Sequence, residues 1–192
     1  MTIRLGLDAS QHISSCAVST DHGIVVATTA EKPVENFSKL IRETLFKAHV
    51  SLEELDEIVA CIGPGSQMGV RTTVATGNAL ALALGIPITG VLSVDAMAAT
   101  APMSDTLNIA VSAGRSRWYV AAYNWNGDNL QRIDRLQLMD ELPPDAWIAN
   151  EPDSMGANEA RSGACGILKI ADQHRHLITQ SMVQEITPYD GR

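Results

Sequence analysis

Residues 57–91, EIVACIGPGSQMGVRTTVATGNALALALGIPITGV, decide the fold. The run EIVACI at 57–62 is apolar and bounded by turn signals, which reads as a buried strand. Glycines 63, 65 and 69 punctuate a turn, and residues 70–84 are rich in Ala, Leu and Thr over a helical length. Gly85 stops that helix, because glycine takes the left-handed conformation of a helix end without a Cβ clash. IPITGV at 86–91 is then a second strand. Two buried strands joined through a helix make a crossover unit, right-handed if the strands are parallel.

Upstream, Pro33 suits the first turn of a helix, where its missing N–H would be unpaired anyway. Val34, Phe37, Ile41, Leu45 and Ala48 follow at helical spacing, with Lys39, Arg42, Glu43 and Lys47 largely elsewhere. Residues 51–54 fit a capping box for a very short helix. Earlier still, IRLGLD (3–8), SCAVST (15–20) and IVVATTA (24–30) read as three strands with turns at ASQHIS and Asp21-His22-Gly23. The order β-β-β-α-β-α-β predicts a five-stranded mixed sheet whose first three strands form an antiparallel meander. Downstream, residues 93–101 predict a bridging helix, and the opening then recurs. LNIAVS (107–112), WYVAAYNW (118–125) and LQRIDRLQ (130–137) are strands, with Asn126-Gly127-Asp128-Asn129 as a hairpin turn and AWIAN (146–150) as a short fourth strand. Residues 151–182 are weakly patterned, with a helix expected near 166–177. The reading is an α/β chain of two related lobes, residues 1–101 and a smaller, shortened 102–192.

The chain of 192 residues carries 14 Lys and Arg against 22 Asp and Glu, a formal charge of -8. That field repels phosphate backbones, so the chain alone is expected to bind nucleic acid poorly. Cys16, Cys61 and Cys165 are odd in number and far apart, which suits a reducing compartment, and a cytoplasmic location is expected. The acidic Asp8 interrupts what would be the apolar part of an export signal. Residues 72–94 are uncharged, but Asn78, four threonines and the Gly85-Ile86-Pro87 break make them a buried helix and strand rather than a membrane span.

The residues that could carry chemistry are few. Asp8 ends a strand before a turn containing Ser10, a position where a carboxylate can orient water or Mg²⁺ beside phosphates, or simply accept local backbone bonds. Gly63, Gly65, Ser66 and Gly69 could expose helix amides to an anion or merely align strand and helix. The Lys and spacing of a P-loop are absent. Arg71 could clamp an acidic partner group or pair with a neighbouring carboxylate. Ser112 begins the equivalent turn of the second lobe, where a second anionic anchor would be expected. The five histidines form no HExxH or HxxxH pair, and Ser10, Ser66 and Cys61 have no base-and-orienter arrangement around them. No catalytic residue and no metal ligand emerges from spacing alone.

Residues 63–99, GPGSQMGVRTTVATGNALALALGIPITGVLSVDAMAA, closely resemble the bacterial TsaB family, also called YeaZ. The opening LGLDAS, the stretch 112–123 and the terminal ITPYDGR are similar to the corresponding family segments. The resemblance implies the actin-like, ribonuclease H-like fold shared with Hsp70 and sugar kinases. It implies a non-catalytic dimerisation partner of TsaD in forming threonylcarbamoyladenosine at position 37 of tRNAs that read codons starting with A. TsaE would join through the TsaB–TsaD pair, the chain alone would be a homodimer, and tRNA would be met only through the complex. No cofactor would be required, while weak adenine-nucleotide binding at a vestigial site of Asp8, Ser10, Gly63, Gly65, Ser66, Arg71 and Ser112 would be compatible. The catalytic relative carries HxxxH metal ligands on its first long helix; Asn36 and Leu40 stand here, and leucine cannot replace an imidazole. The resemblance locates the partner surface on helices 34–48 and 70–84, with Val34, Phe37, Ile41, Leu45, Thr73, Thr76, Gly77 and Leu80 as its residues. Gln67-Met68 and Ser112 depart from the family pattern. The alternatives are a homodimeric protein of the same fold outside tRNA modification, and an actin-fold ATPase or phosphotransferase.

Overall fold

The computed structural model describes residues 2–31, 33–143, 146–148, 163–183 and 185–189. Three strands, β1 (Arg4–Asp8), β2 (Ser14–Thr20) and β3 (Gly23–Thr29), form the expected antiparallel meander. Helix α1 (Pro33–Ala48) leads through a 3₁₀ turn, Leu52–Glu54, to β4 (Glu57–Gly63), which pairs in parallel with β1. The Glu54 carboxylate accepts the Ser51 N–H at 2.8 Å, the reciprocal half of the capping box. Helix α2 (Gln67–Leu84) crosses over to β5 (Ile88–Leu92), parallel to β4. Gly85 ends α2 with φ 68°, as its position predicts.

Helix α3 (Ser93–Ala98) bridges to a second sheet of β6 (Leu107–Gly114), β7 (Arg117–Asn126), β8 (Asn129–Arg132), β9 (Gln137–Met139) and β10 (Trp147–Ile148). The β7–β8 hairpin turns with Asn126 opposite Asn129, as expected of that tetrapeptide. β10 pairs in parallel with β6, while the remainder of the expected strand, Ala149 and Asn150, lies outside the described residues.

The chain's end departs from the expected division. Helix α4 (Gly163–Gln173) packs on β1, β2 and β4, and β11 (Gln180–Val183) pairs antiparallel with β5. Among the described residues the first sheet therefore has six strands in the order β11-β5-β4-β1-β2-β3, not five, and α4 and β11, from within the expected 102–192 unit, pack on and pair with it. The physical reason is burial: the sheet has two apolar faces, α1 and α2 cover only one, and α4 covers the other. Ala164, Ile167, Leu168, Ile170 and Ala171 of α4 are all buried. Glu57, 1% exposed, anchors the segment after α4: it accepts from Arg4 Nε at 2.7 Å and from Arg175 at 3.2 Å. A buried carboxylate is tolerable only with such partners.

The apolar stripe of α1 is spent inside the protein. Phe37, Leu40, Ile41 and Leu45 are buried against the meander; the side chain of Val34 lies outside the described set. On α2, Thr73 is fully buried and its hydroxyl accepts the Ala9 N–H at 3.0 Å. Gly77 faces the sheet, where an added Cβ would meet Ile88 Cδ1 at 2.9 Å and Ala60 Cβ at 3.4 Å. Phe37, Ile41, Leu45, Thr73 and Gly77 are thus core residues, not the partner surface expected of them, because an amphipathic helix buries its stripe on its own sheet first. Thr76 and Leu80 are half-buried. Among the described residues, no helix is long and apolar enough to cross a membrane.

Candidate functional site

The β1–β2 turn and the β4–α2 turn nest against each other at the carboxyl ends of their strands. Ser66 donates its N–H to the Ser10 carbonyl at 2.7 Å, caps α2 and accepts the Gly69 N–H on its hydroxyl at 3.3 Å. A Cβ at Gly65 would run into the Ser10 carbonyl, and one at Gly69 into the Ala9 carbonyl. These glycines let two backbones touch, which explains the motif as packing.

Beside this junction lies a cleft of about 1170 Å³ between the lobes. Ser10, Gly63, Gly65, Ser66, Arg71 and Ser112 all line it, so the structure brings together six of the seven residues expected at an anion site. Arg71 is exposed and makes no salt bridge among the described residues; Ser112 is exposed and its hydroxyl accepts the Gly114 N–H at 3.3 Å.

Asp8, the seventh, is not in the cleft. It is 1% exposed, and one carboxylate oxygen accepts the Ser10 N–H at 2.8 Å. The other abuts Gly163 at the start of α4, so closely that a Cβ there could not fit. Burial raises the Asp8 carboxyl above its ordinary range, while the hydrogen bonds from Ser10 act the other way. The expectation that Asp8 faces a bound phosphate is corrected by strand parity: Asp8 shares the α4 side of the sheet with Gly6, which an added Cβ would drive into Leu168. Cys61, on the same side, is also pushed up by burial and by the neighbouring Asp8 charge, so it is held as the thiol.

Several residues of the region escaped the pattern-based reading. Tyr119 and Tyr189 line the cleft from opposite lobes, with ring centroids 6.5 Å apart in an edge-to-face arrangement. Asp95, fully buried on α3, accepts the Tyr123 hydroxyl at 2.7 Å and faces Arg132 at 3.3 Å. Burial raises its pKa to about 6, against the opposing pull of Arg132. A lone carboxylate within the apolar run VLSVDAMAA was the signal that could have found it. Among the described residues, no group of three His, Cys, Asp or Glu could hold a metal ion.

A family model described as TsaD, tRNA N6-adenosine threonylcarbamoyltransferase, matches residues 9–150. A curated tRNA N6-adenosine threonylcarbamoyltransferase of Rhizobium leguminosarum bv. trifolii (strain WSM2304) is 40% identical over 85 residues, 44% of this chain and 23% of that protein. The aligned part of the chain spans about a quarter of the length of the curated relatives it matches. Among solved structures, YeaZ from Pseudomonas aeruginosa has a TM-score of 0.70 at 22% identity, over 75% of this chain and 71% of that one. A protein described as uncharacterized, with similarity to peptidase YeaZ from Pseudomonas aeruginosa, has a TM-score of 0.80 at 19% identity over 100% of both chains. The chain belongs to the TsaD family, with the actin-like, ribonuclease H-like fold of YeaZ (TsaB).

Proposed function

We propose that the protein is a non-catalytic subunit that docks a TsaD-type transferase and supports threonylcarbamoyladenosine formation on tRNA. The observation that carries this reading is the outer face of α2. Met68 and Leu82 are 63% and 84% exposed, Ala75, Ala79 and Ala83 are exposed beside them, and Arg71 is the helix's single charge. An apolar helix face of that kind is a partner surface more readily than a solvated one. Phe46 of α1, 81% exposed, extends the apolar inventory of the same side of the sheet. The proposed interface is therefore the outer side of α2, with Phe46 contributed by α1. In the absence of TsaD the same face would pair two copies, and TsaE would join the TsaB–TsaD pair.

The sealing of Asp8 by Gly163 supports the non-catalytic part of the reading, because a carboxylate packed under a helix is unavailable to a nucleotide-bound metal. Asn36 and Leu40 at the positions of the relative's HxxxH pair support it further. Three cysteines, odd in number and all buried, suit a reducing cytoplasm.

The test is reconstitution of threonylcarbamoyl transfer to tRNA from threonylcarbamoyl-AMP. The expected result is no modification by this protein alone, none or little by TsaD alone, and robust modification by the pair. Modification by this protein without TsaD would reverse the assignment, and a pair no better than TsaD alone would remove it from the pathway.

A further inference from the structure

The two lobes meet again at the tail of the chain. Ile186 is bolted to α2 by a reciprocal pair: Asn78 donates its side-chain amide to the Ile186 carbonyl at 2.9 Å and accepts the Ile186 N–H at 3.0 Å. Gln180 of β11 holds Thr187 in the same way, at 3.1 Å and 3.0 Å. Tyr189 then donates its N–H to Ile62 of β4 at 2.7 Å, and its ring meets Tyr119 of β7. Pro188 and Tyr189 form part of the cleft wall. These bonds account for Asn78, the one polar residue in the stretch 77–84 of α2, and for the ITPY segment.

The second sheet is joined to the first elsewhere by different groups. Asp95 of α3 takes Tyr123 and Arg132, His176 Nε2 lies 2.8 Å from the Leu130 carbonyl, and the His174 ring stands 5.5 Å from Trp125. From Tyr119 to Tyr123 along β7 is roughly 13 Å at about 3.3 Å per residue. Among the described residues, the second sheet is therefore held by a packed joint, made where α3 and residues 174–177 meet β6, β7 and β8, and by a separate ring contact at Tyr119 of β7. A body held at the first alone could swing; held at both, it is fixed.

We infer that residues 186–189 are a clasp, with Tyr189 pressed on Tyr119, that sets the opening of the interlobe cleft about the joint made by α3 and residues 174–177. The clasp is anchored on the first lobe by backbone bonds and side-chain amides, and it reaches the second lobe through an aromatic edge. Such a contact is strong enough to bias an opening and weak enough to release. Because Asn78 sits on α2, displacement of that helix would move the clasp. The inference does not rest on the proposed partner.

The test is site-resolved amide hydrogen exchange on the full chain, comparing wild type with Tyr189→Ala, Tyr119→Ala and Asn78→Ala. Loss of the ring contact is expected to speed exchange roughly three- to tenfold in residues 111–119 and at the Tyr189 amide. β2 and β3 should be unchanged, which reports intact folding. Tyr119→Ala is the discriminating variant, since it leaves the tail's own bonds intact; it should deprotect the Tyr189 amide across the cleft. Unchanged exchange at Tyr189 in Tyr119→Ala, or at 111–119 in Tyr189→Ala, would overturn the clasp. Uniform loosening that includes β2 and β3 would overturn it too, by making the tail ordinary core.

Discussion

Helices α1 and α2 lie side by side on one face of the first sheet, yet they treat solvent differently. On α1 the outward positions include Glu35, Lys39, Arg42, Glu43 and Lys47, with Glu43 and Lys47 paired at 3.0 Å. On α2 the outward positions are Ala75, Ala79, Leu82 and Ala83 after a single Arg71. The difference teaches where to look for a partner. A regular apolar stripe such as Phe37, Ile41 and Leu45 marks the side a helix turns toward its own core. The side proposed to meet another protein is marked by missing charge.

The hardest way to break this comparison is to enlarge an inward glycine. Gly77→Leu would push into Ile88 and Ala60, and an expected loss of about 3 kcal/mol should appear as a lower urea midpoint. A Gly77→Leu protein that keeps wild-type stability would return Gly77 to the outer surface.

Next in size is the buried Asp95. Its raised pKa means the folded state holds the proton more tightly than the unfolded chain does. The associated stability, on the order of 2–3 kcal/mol, is fully present below the unfolded value near pH 4 and is lost as pH rises through about 6. In Asp95→Asn that component disappears, so the stability difference between wild type and variant should change by this amount from pH 4 to pH 7. Urea titrations across that window check it, and a pH-independent difference would show that Tyr123 and Arg132 hold the carboxylate ionised throughout.

The architecture of the first lobe was legible because its cues are local. Glycines 63, 65, 69 and 85 sit where turns and helix ends need them, and each helix has its own period. The cleft residues Ser10, Ser66, Arg71 and Ser112 were legible for the same reason, as turn residues at strand ends. Asp8 was not, because its direction depends on strand parity and on which face α4 covers, a contact with residues 155 positions away in sequence. The return of α4 and β11 to the first sheet was hidden likewise: residues 151–182 carry little periodicity in sequence, and the place of α4 is set by an uncovered sheet face. The partner stripe was misassigned because periodicity reports that a helix has an apolar side without saying what covers it.

The smallest effect should come from the charged side of α1. Lys39→Glu alters an exposed residue that makes no ion pair among the described residues, and its stability should stay within about 0.5 kcal/mol of wild type. Binding to TsaD should be equally insensitive if α2, rather than α1, supplies the contact. A marked loss of binding would sharpen the comparison by extending the surface across both helices.

The central claim is tested most directly by the affinity of purified TsaD for wild type and Leu82→Glu, with folding verified by the urea midpoint. Leu82 is 84% exposed, so the fold should be indifferent to the change. A central interface position should lose roughly thirtyfold or more in affinity when a charge is buried there. A folded Leu82→Glu protein that binds TsaD at wild-type strength would contradict the account.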